Sequence, residues 1–193
     1  AVEILEDEIP EDSPRREFAR IAKVEVERID KLVSEFLRFA RPPKLSKVPS
    51  SVNELVESVI SLLDPRAAEG SVSIEKELAS GLSPIEIDPE QIVQVLLNLA
   101  INALDATPNG GTIVFRTYES GDTVTVEIED TGVGIAADDK ERIFDPFFTT
   151  KDKGTGLGLS VAHRIVTQHD GNLTAENTER GARFKVTLTR TGQ

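Results

Sequence analysis

The sequence contains no cysteine, so the chain can form neither disulfides nor thiolate metal sites. It is also poor in basic residues, with 22 Lys and Arg against 34 Asp and Glu, and its net charge is −12. Because nucleic acids are held by basic surfaces, this balance argues against a nucleic-acid partner. No apolar run is long enough to span a membrane, and the first residues do not resemble a signal peptide. We therefore expect a chain with no nucleic-acid or membrane contact, in the cytoplasm.

Prolines mark the organisation of the N-terminal part. The sequence predicts the last turns of a short helix, a turn ending at Pro14, and a second helix from Pro14 to Ala40. That helix carries a heptad seam made of Phe18, Ala22, Glu25, Ile29, Leu32, Phe36 and Phe39. One helix cannot bury the seam, so we expect it to pack on the short helix (Val2, Leu5 and Ile9) and on a second copy of the chain. Docking on the downstream domain is the alternative.

Pro42 and Pro43 end the long helix and mark a domain boundary. We predict a partial helical hairpin over 1–41, a linker over 42–49 and a second domain over 50–193. Within that domain the patterns predict helices beginning near Ser51, Pro89 and Leu157, and strands over 72–78, 84–88, 112–119, 123–130, 172–179 and 182–190. Strands and helices do not alternate strictly. The fold class is therefore predicted as α+β, a two-layer sandwich of a mixed sheet and helices.

Two glycine clusters flank a charged loop rich in phenylalanine. Gly132 and Gly134 follow a predicted strand, and a second cluster (Gly154, Gly156 and Gly158) opens a predicted helix. Such glycines allow close backbone approach and leave helix N–H groups for anions, which favours a nucleotide-phosphate site. The row Asn98, Asn102 and Asp105 shares one face of the helix after Pro89, opposite its apolar face. Such a row is often only solvated surface, but here we expect it to share a site with the glycines.

Four segments together resemble the motifs of one protein family. NLAINALDA at 98–106, DTGVG at 130–134, FDPFF at 144–148 and GTGLGL at 154–159 resemble the N, first G, F and second G boxes of sensor histidine kinases. These kinases belong to a wider group with gyrase, Hsp90 and MutL. The resemblance extends from about Ser50 to Thr189, and the upstream hairpin is similar to the dimerisation and phosphotransfer module of these kinases.

The resemblance implies a site for ATP or ADP with Mg²⁺. Asp130 would bind the adenine amino group, Asn102 would bind Mg²⁺ with support from Asn98, and Lys151 would contact the phosphate tail. The implied nucleotide-binding residues are Asn98, Asn102, Asp105, Asp130, Gly132, Gly134, Ile135, Phe144, Lys151, Gly154, Thr155, Gly156, Leu157, Gly158 and Leu159. Residues 137–155 would form a lid with apolar anchors at Phe144, Phe147 and Phe148, although plain core packing is an equal alternative for Phe144.

Asn98 distinguishes reactions within the group. The corresponding residue of gyrase, Hsp90 and MutL is a Glu that activates water, whereas an amide is no general base. The sequence therefore favours phosphoryl transfer to another protein over ATP hydrolysis.

The sequence departs from the pattern of sensor histidine kinases at two places. Neither of the two histidines, His163 and His169, lies on the hairpin that carries the family's phosphoacceptor, and Ala182 stands where relatives often have Ser or Thr.

We read both histidines as structural and expect the acceptor to lie upstream in a longer kinase, so no catalytic residue is assigned in this chain. The resemblance implies that the intact kinase is a homodimer, membrane-anchored in some relatives. It would phosphorylate its own histidine and pass the phosphoryl to a response-regulator receiver domain. This chain alone is predicted not to autophosphorylate. The alternatives are a nucleotide-sensing binding module without transfer and a serine kinase of the anti-sigma type.

Overall fold

The helix α1, Pro14–Ala40, is the described part of the first of two compact units. The computed structural model describes residues 14–40, 44–151 and 154–190, and the units are Ala1–Pro43 and Lys44–Gln193. Two residues of the seam, Phe18 and Ile29, are 73% and 53% exposed in the single chain. The predicted short helix lies outside the described residues, as do the side chains of Leu32, Phe36 and Phe39.

The second unit has one mixed five-stranded sheet. Its strands lie in the order β2 (Ser73–Leu78), β4 (Thr112–Ser120), β5 (Thr123–Asp130), β7 (Ala182–Thr189) and β6 (Asn172–Asn177). The strands β2 and β4 are parallel, and the other neighbours are antiparallel. The elements are β1 Val48–Ser50, α2 Val52–Glu69, β2 Ser73–Leu78, β3 Ile85–Ile87, α3 Pro89–Ala106, β4 Thr112–Ser120, β5 Thr123–Asp130, a 3₁₀ turn Ala137–Asp139, α4 Gly158–Gln168, β6 Asn172–Asn177 and β7 Ala182–Thr189. This architecture confirms the predicted α+β class.

The strand β1 was not predicted, because three residues that include a proline show no alternation. It pairs with β3 in a separate antiparallel ribbon, with Val48 opposite Ile87. The end of the predicted 42–49 linker is therefore part of the folded domain. None of the helices in the described ranges is long and apolar enough to cross a membrane.

Helices cover one face of the sheet, and the buried face follows the two-residue period of the strands. Val124, Val126 and Ile128 of β5 are fully buried on that face, and Asp130 is the next inward position. The predicted apolar face of α3 is buried as expected, with Ile92, Val95, Leu96, Leu99 and Ala103 at most 1% exposed. The buried face of α2 consists of Val56, Val59, Ile60 and Leu63, whereas Leu62 points to solvent.

The other face of the sheet is polar. Glu129 accepts hydrogen bonds from Arg116 of β4 and Arg183 of β7, and Arg116 also contacts Glu77 of β2. These cross-strand ion pairs lie on the side of β5 away from the helices. The alternation along β5 thus places a charged network on one face, and the core followed by a buried carboxylate on the other.

Candidate nucleotide-binding site

Asp130 lies at the end of the buried face of β5 and is 1% exposed. Its Oδ1 accepts hydrogen bonds from the N–H of Gly132 at 2.8 Å and from the N–H of Ala182 at 3.3 Å. Burial raises the pKa of the Asp130 carboxyl above its usual value, and these two hydrogen bonds oppose that rise. Because both bonds fall on Oδ1, the other carboxyl oxygen is the one suited to accept from an amino group of a ligand.

The segment 132–135 turns tightly beside this carboxylate. A Cβ on Gly132 would lie 2.5 Å from the carbonyl oxygen of Ala106, and Gly134 has a φ of +72°. Only glycine fits both positions without strain. The following residue, Ile135, is held by Asn177 at the end of β6. The Asn177 Oδ1 accepts from the Ile135 N–H at 2.7 Å, and its Nδ2 donates to the Ile135 carbonyl at 2.8 Å.

Asn177 and Gly181 belong to this site although the sequence did not single them out for it. A Cβ on Gly181 would lie 2.2 Å from the carbonyl oxygen of Asp130 and 2.6 Å from the nitrogen of Gly132. For Gly181 the sequence indicates only a turn between the predicted strands 172–179 and 182–190, which does not reveal what the turn contacts. Asn177 carries no such signal, because an Asn at a strand end is ordinary.

The polar row on α3 meets both the second glycine cluster and the lid. The Asn98 Nδ2 donates to the carbonyl oxygen of Gly158 at 3.0 Å. The Lys151 ammonium donates to Asn102 Oδ1 at 2.9 Å and to Asp105 Oδ2 at 2.8 Å. Arg66, for which no role was predicted, pairs with the other oxygen of Asp105 at 2.5 Å. The structure therefore brings the three row residues and Lys151 together, with Asp105 between two cations.

The second glycine cluster ends at the N-terminus of α4. Gly156 has a φ of +69°, and a Cβ there would lie 2.4 Å from the backbone carbon of Phe147. The Leu157 N–H bonds to Thr155 Oγ1 at 3.3 Å, while no side chain within the described part of the chain caps α4. The first N–H groups of any helix also lack an intrahelical acceptor. The turn thus presents Gly158 and Leu159 N–H groups beside Asn98.

The surroundings of Gly158 indicate whether a phosphate fits at the N-terminus of α4. A Cβ there would meet only the Asn98 amide, at the ordinary contact distance of 3.8 Å. Protein packing therefore does not require glycine at this position, but close approach of an anion to the α4 N-terminus does favour it. The donors, the helix dipole and the space between α3 and α4 fit a nucleotide phosphate.

A Mg²⁺ ion also fits, with amide oxygens as its protein ligands. In the described ranges no group of three or more His, Asp or Glu side chains is arranged to hold a metal. The Asn102 Oδ1, however, is a hard oxygen that already accepts from an ammonium group. Mg²⁺ needs only one or two protein oxygens when phosphates complete its shell. Asn102, with Asn98 nearby, can supply them.

One prediction for the segment 137–155, the predicted lid, is wrong. Phe147 was expected to be an apolar anchor, yet it is 60% exposed and has a φ of +68°. Its backbone is the fixed part, because its N–H bonds to the Gly156 carbonyl at 3.0 Å. Ile143, which was not predicted, is buried. Phe144 is half-buried with its ring centroid 5.1 Å from that of His163, and Phe148 lies under the Arg142 guanidinium at 4.5 Å.

Both histidines have structural surroundings. His169 is buried, its Nε2 accepts from the Asp88 N–H at 3.0 Å, and its Nδ1 faces the Ile165 carbonyl at 2.8 Å. This pattern requires the neutral ring protonated at Nδ1. Burial lowers the pKa of His169, consistent with that neutral form. His163 is exposed and contacts Phe144 of the lid.

Known proteins resemble this chain at the level of both sequence and fold. The sensor histidine kinase ZraS of Escherichia coli O157:H7 is 37% identical over 180 residues, which are 93% of this chain and 39% of ZraS. The catalytic domain of the histidine kinase ThkA is 33% identical with a TM-score of 0.70, covering 77% of this chain and 97% of that domain.

Two larger solved structures cover more of the chain. ThkA in complex with the response regulator protein TrrA is 29% identical with a TM-score of 0.80, covering 95% of this chain and 53% of that one. Full-length ShkA in complex with AMPPNP is 27% identical with a TM-score of 0.84, covering 98% and 42%.

The four motif boxes lie within the range of the chain that matches a known family. Residues 87–192 match the family described as histidine kinase-, DNA gyrase B-, and HSP90-like ATPase. That range contains Asn98, Asn102, Asp130 and both glycine clusters. The chain spans only about two fifths of the length of ZraS. Motifs, fold and sequence agree, and the chain belongs to the family of histidine kinase-, DNA gyrase B- and HSP90-like ATPases.

Proposed function

We propose that this chain is the ATP-binding catalytic region of a sensor histidine kinase. It donates the γ-phosphoryl of ATP to a histidine on a dimerisation helix, for relay to an aspartate of a response regulator. The observation that carries the proposal is the hydrogen bond from Asn98 to the Gly158 carbonyl. It supports a site where an amide, and not a carboxylate, lies beside the place suited to phosphate.

Recognition of the base falls to Asp130 and the segment 132–135. A carboxylate oxygen buried in an apolar surrounding accepts strongly from the exocyclic amino group of adenine, because water does not compete for it. Gly132 and Gly134 let the backbone of this segment pack closely against Ala106, Asn177 and Gly181, which fixes its path next to the carboxylate. Adenine recognition thus depends on one charged hydrogen-bond acceptor and on contact with the backbone of residues 132–135.

Recognition of the phosphates falls to α3, α4 and the lid. The N-terminus of α4 offers N–H donors at Gly158 and Leu159, and Lys151 offers a cation from the lid. Asn102 and Asn98 would hold Mg²⁺, which when bound neutralises phosphate charge and orients the γ-phosphoryl group. Asp105 keeps Lys151 near the phosphates through its ion pair.

Whether the phosphoryl group passes to water or to a protein depends on the chemistry of the side chain at position 98. An Asn side chain cannot take a proton from water, so water gains no general base there. Asp105, the acidic member of the row, is neutralised by Arg66 and Lys151. A site that binds and orients ATP without activating water is suited to transfer to a protein nucleophile.

The partners follow from the relatives. ThkA was solved with a response regulator and ShkA with AMPPNP. We accordingly propose a receiver domain, ATP and a second copy of the kinase as partners in the cytoplasm. The heptad pattern of α1, whose Phe18 is exposed, supports the dimer.

Calorimetric titration with ADP and Mg²⁺ tests the nucleotide site. The wild-type chain should bind, and Asp130→Asn should weaken ADP binding by about 10- to 100-fold, because a charged hydrogen bond is lost. Asp122→Asn, in the exposed β4–β5 turn, is the matched control and should bind as the wild type does. Absence of ADP binding by the wild-type chain would reject the proposal.

A transfer experiment tests the reaction. The chain is mixed with labelled ATP and a separately supplied dimerisation hairpin carrying a histidine. We expect acid-labile phosphohistidine on the hairpin and none on this chain. Acid-stable phosphoserine on a partner would favour the serine kinase, and ADP binding without any transfer would favour the nucleotide-sensing module.

A further inference from the structure

The side chain of Asn177 pairs with a backbone in the way that a strand does. Its carboxamide accepts from the N–H of Ile135 and donates to the carbonyl of the same residue, at 2.7 and 2.8 Å. The two bonds form a closed ring, which fixes the distance and the rotation of Ile135 relative to the end of β6. A Cβ on Gly134 would approach the same oxygen to 3.1 Å, so the turn before Ile135 is also close to Asn177.

The hairpin end that carries Asn177 is itself rigid. Thr178 Oγ1 accepts from the N–H groups of Arg180 and Gly181, at 3.3 and 3.1 Å, and the Thr178 N–H donates to the Gly181 carbonyl at 2.9 Å. Gly181 lies directly against the backbone of Asp130, and Ala182 donates to the Asp130 carboxylate. One short hairpin therefore holds both the carboxylate and the backbone segment beside it.

We propose that Asn177 is a positioning residue that fixes the segment 132–135 relative to Asp130 and thereby sets the preference for adenine over guanine nucleotides. The inference rests on the proposed function, since it assumes that the base contacts both this segment and Asp130. In this proposal Asn177 makes no contact with the base. It acts through Ile135.

The chemistry of the two bases explains why position matters. Adenine presents an amino group to the carboxylate, whereas guanine in the same pose presents a carbonyl oxygen, which a carboxylate repels. Guanine could still satisfy Asp130 by shifting so that its N1–H and 2-amino groups face the carboxylate. We expect a 132–135 segment that Asn177 holds in place to oppose that shift. A loosened segment permits it, so guanine binding should gain relative to adenine binding.

The experiment compares ADP and GDP binding by calorimetry for the wild-type chain, Asn177→Ala and Asn177→Asp. Asp keeps the acceptor for the Ile135 N–H but cannot donate to the Ile135 carbonyl when ionised, so it removes one bond of the pair. We expect the ADP/GDP preference to fall by about tenfold in Asn177→Ala and by less in Asn177→Asp. Asn172→Ala, at the exposed opposite end of β6, is the control and should keep the wild-type preference.

Amide hydrogen exchange without nucleotide provides a second readout. The N–H of Ile135 should exchange faster in Asn177→Ala, while the core amides of β5 keep their protection. An unchanged ADP/GDP preference, or an equal loss for both nucleotides, would overturn the inference even if the wild type binds ADP. Failure of the wild type to bind ADP, or binding that is indifferent to Asp130→Asn, would instead reject the proposed function and this inference with it.

Discussion

The ammonium group of Lys151 lies 2.9 Å from the amide oxygen of Asn102. The same ammonium lies 2.8 Å from Asp105 Oδ2, while Arg66 pairs with the other Asp105 oxygen. A cation belonging to the lid therefore contacts the oxygen proposed for Mg²⁺. In the proposed site the metal would compete for that oxygen and the phosphates would attract the lysine, so we expect nucleotide binding to rearrange this contact. The proposal thus couples the predicted lid to the metal position through one side chain.

Lys151→Gln should weaken ADP binding by about 3- to 10-fold at low ionic strength, because a glutamine amide carries no charge for the phosphates. The loss should shrink as salt is added, since Lys151 is partly exposed and its charge is screened. Calorimetric titrations at two salt concentrations measure both effects. Lys76→Gln, on the exposed surface of β2, should change neither value. A loss that is constant with salt would indicate a steric cause.

Replacing Asp130 with Asn should have opposite effects on the stability of the chain and on its affinity for ADP. Burial raises the pKa of its carboxyl, so the folded chain holds this proton more tightly than the unfolded chain does. The cost to folding is absent below the ordinary pKa and is fully present above the raised one. Asn keeps an acceptor for the Gly132 and Ala182 N–H groups but has no charge to bury.

Urea unfolding of Asp130→Asn should therefore give a higher free energy of unfolding than the wild type at pH 7, and a smaller difference at acidic pH. The same variant should lose ADP affinity as described above. Asp122→Asn, in a solvent-exposed turn, should change neither quantity. Equal or lower stability of Asp130→Asn at pH 7 would contradict the argument.

Much of the fold could be predicted because period and burial agree along the chain. The two-residue period of β5 places Val126, Ile128 and Asp130 on one face, and the helical period of α3 places Asn98 and Asn102 away from the core. Local pattern also located both glycine turns. These features depend on residues close in sequence, and so they are visible in the sequence.

The contacts that join distant segments could not be predicted. Nothing near Asn177 shows that it binds Ile135, which lies 42 residues earlier, and nothing near Arg66 shows that it pairs with Asp105. Phe147 was misjudged for a related reason. An aromatic residue in a loop suggests burial, but Phe147 combines a positive φ and a backbone bond to the distant Gly156 with an exposed ring.

His169 should make stability depend on pH. Its ring is buried and neutral, with Lys47 and Asp170 nearby and Asp88 donating its N–H to Nε2. Burial lowers the folded-state pKa, so the unfolded chain binds the proton more readily. The contribution to stability is complete above the ordinary pKa of about 6.5 and decreases as the pH falls below it.

Chemical unfolding at several pH values tests this dependence. The free energy of unfolding should fall between pH 7 and pH 5, and His169→Gln should be less stable at pH 7 yet show a flatter dependence over that range. His163→Gln removes the other histidine, which is exposed, and should keep the wild-type slope. The pKa of Asp88 is also shifted: burial raises it, but hydrogen bonds from Ser46 and Gln91 prevail and lower it. The contribution of Asp88 to the free energy of unfolding is therefore lost only at a pH below the range in which His169 titrates.

The two glycines at the start of α4 should respond to alanine in opposite ways. In Gly156→Ala the φ of +69° and the overlap with the Phe147 backbone should lower the free energy of unfolding by about 2 kcal/mol or more.

In Gly158→Ala the new methyl group meets only Asn98 at 3.8 Å, and the loss of glycine from a helix should raise stability by about 0.4–1 kcal/mol. That methyl group nevertheless projects into the space between α3 and the α4 N-terminus, so ADP affinity should fall by about tenfold or more because the phosphates can no longer approach the N–H groups. Urea unfolding and calorimetry on the two variants measure these effects, and a Gly158→Ala chain that is stable and binds ADP like the wild type would place the phosphates elsewhere.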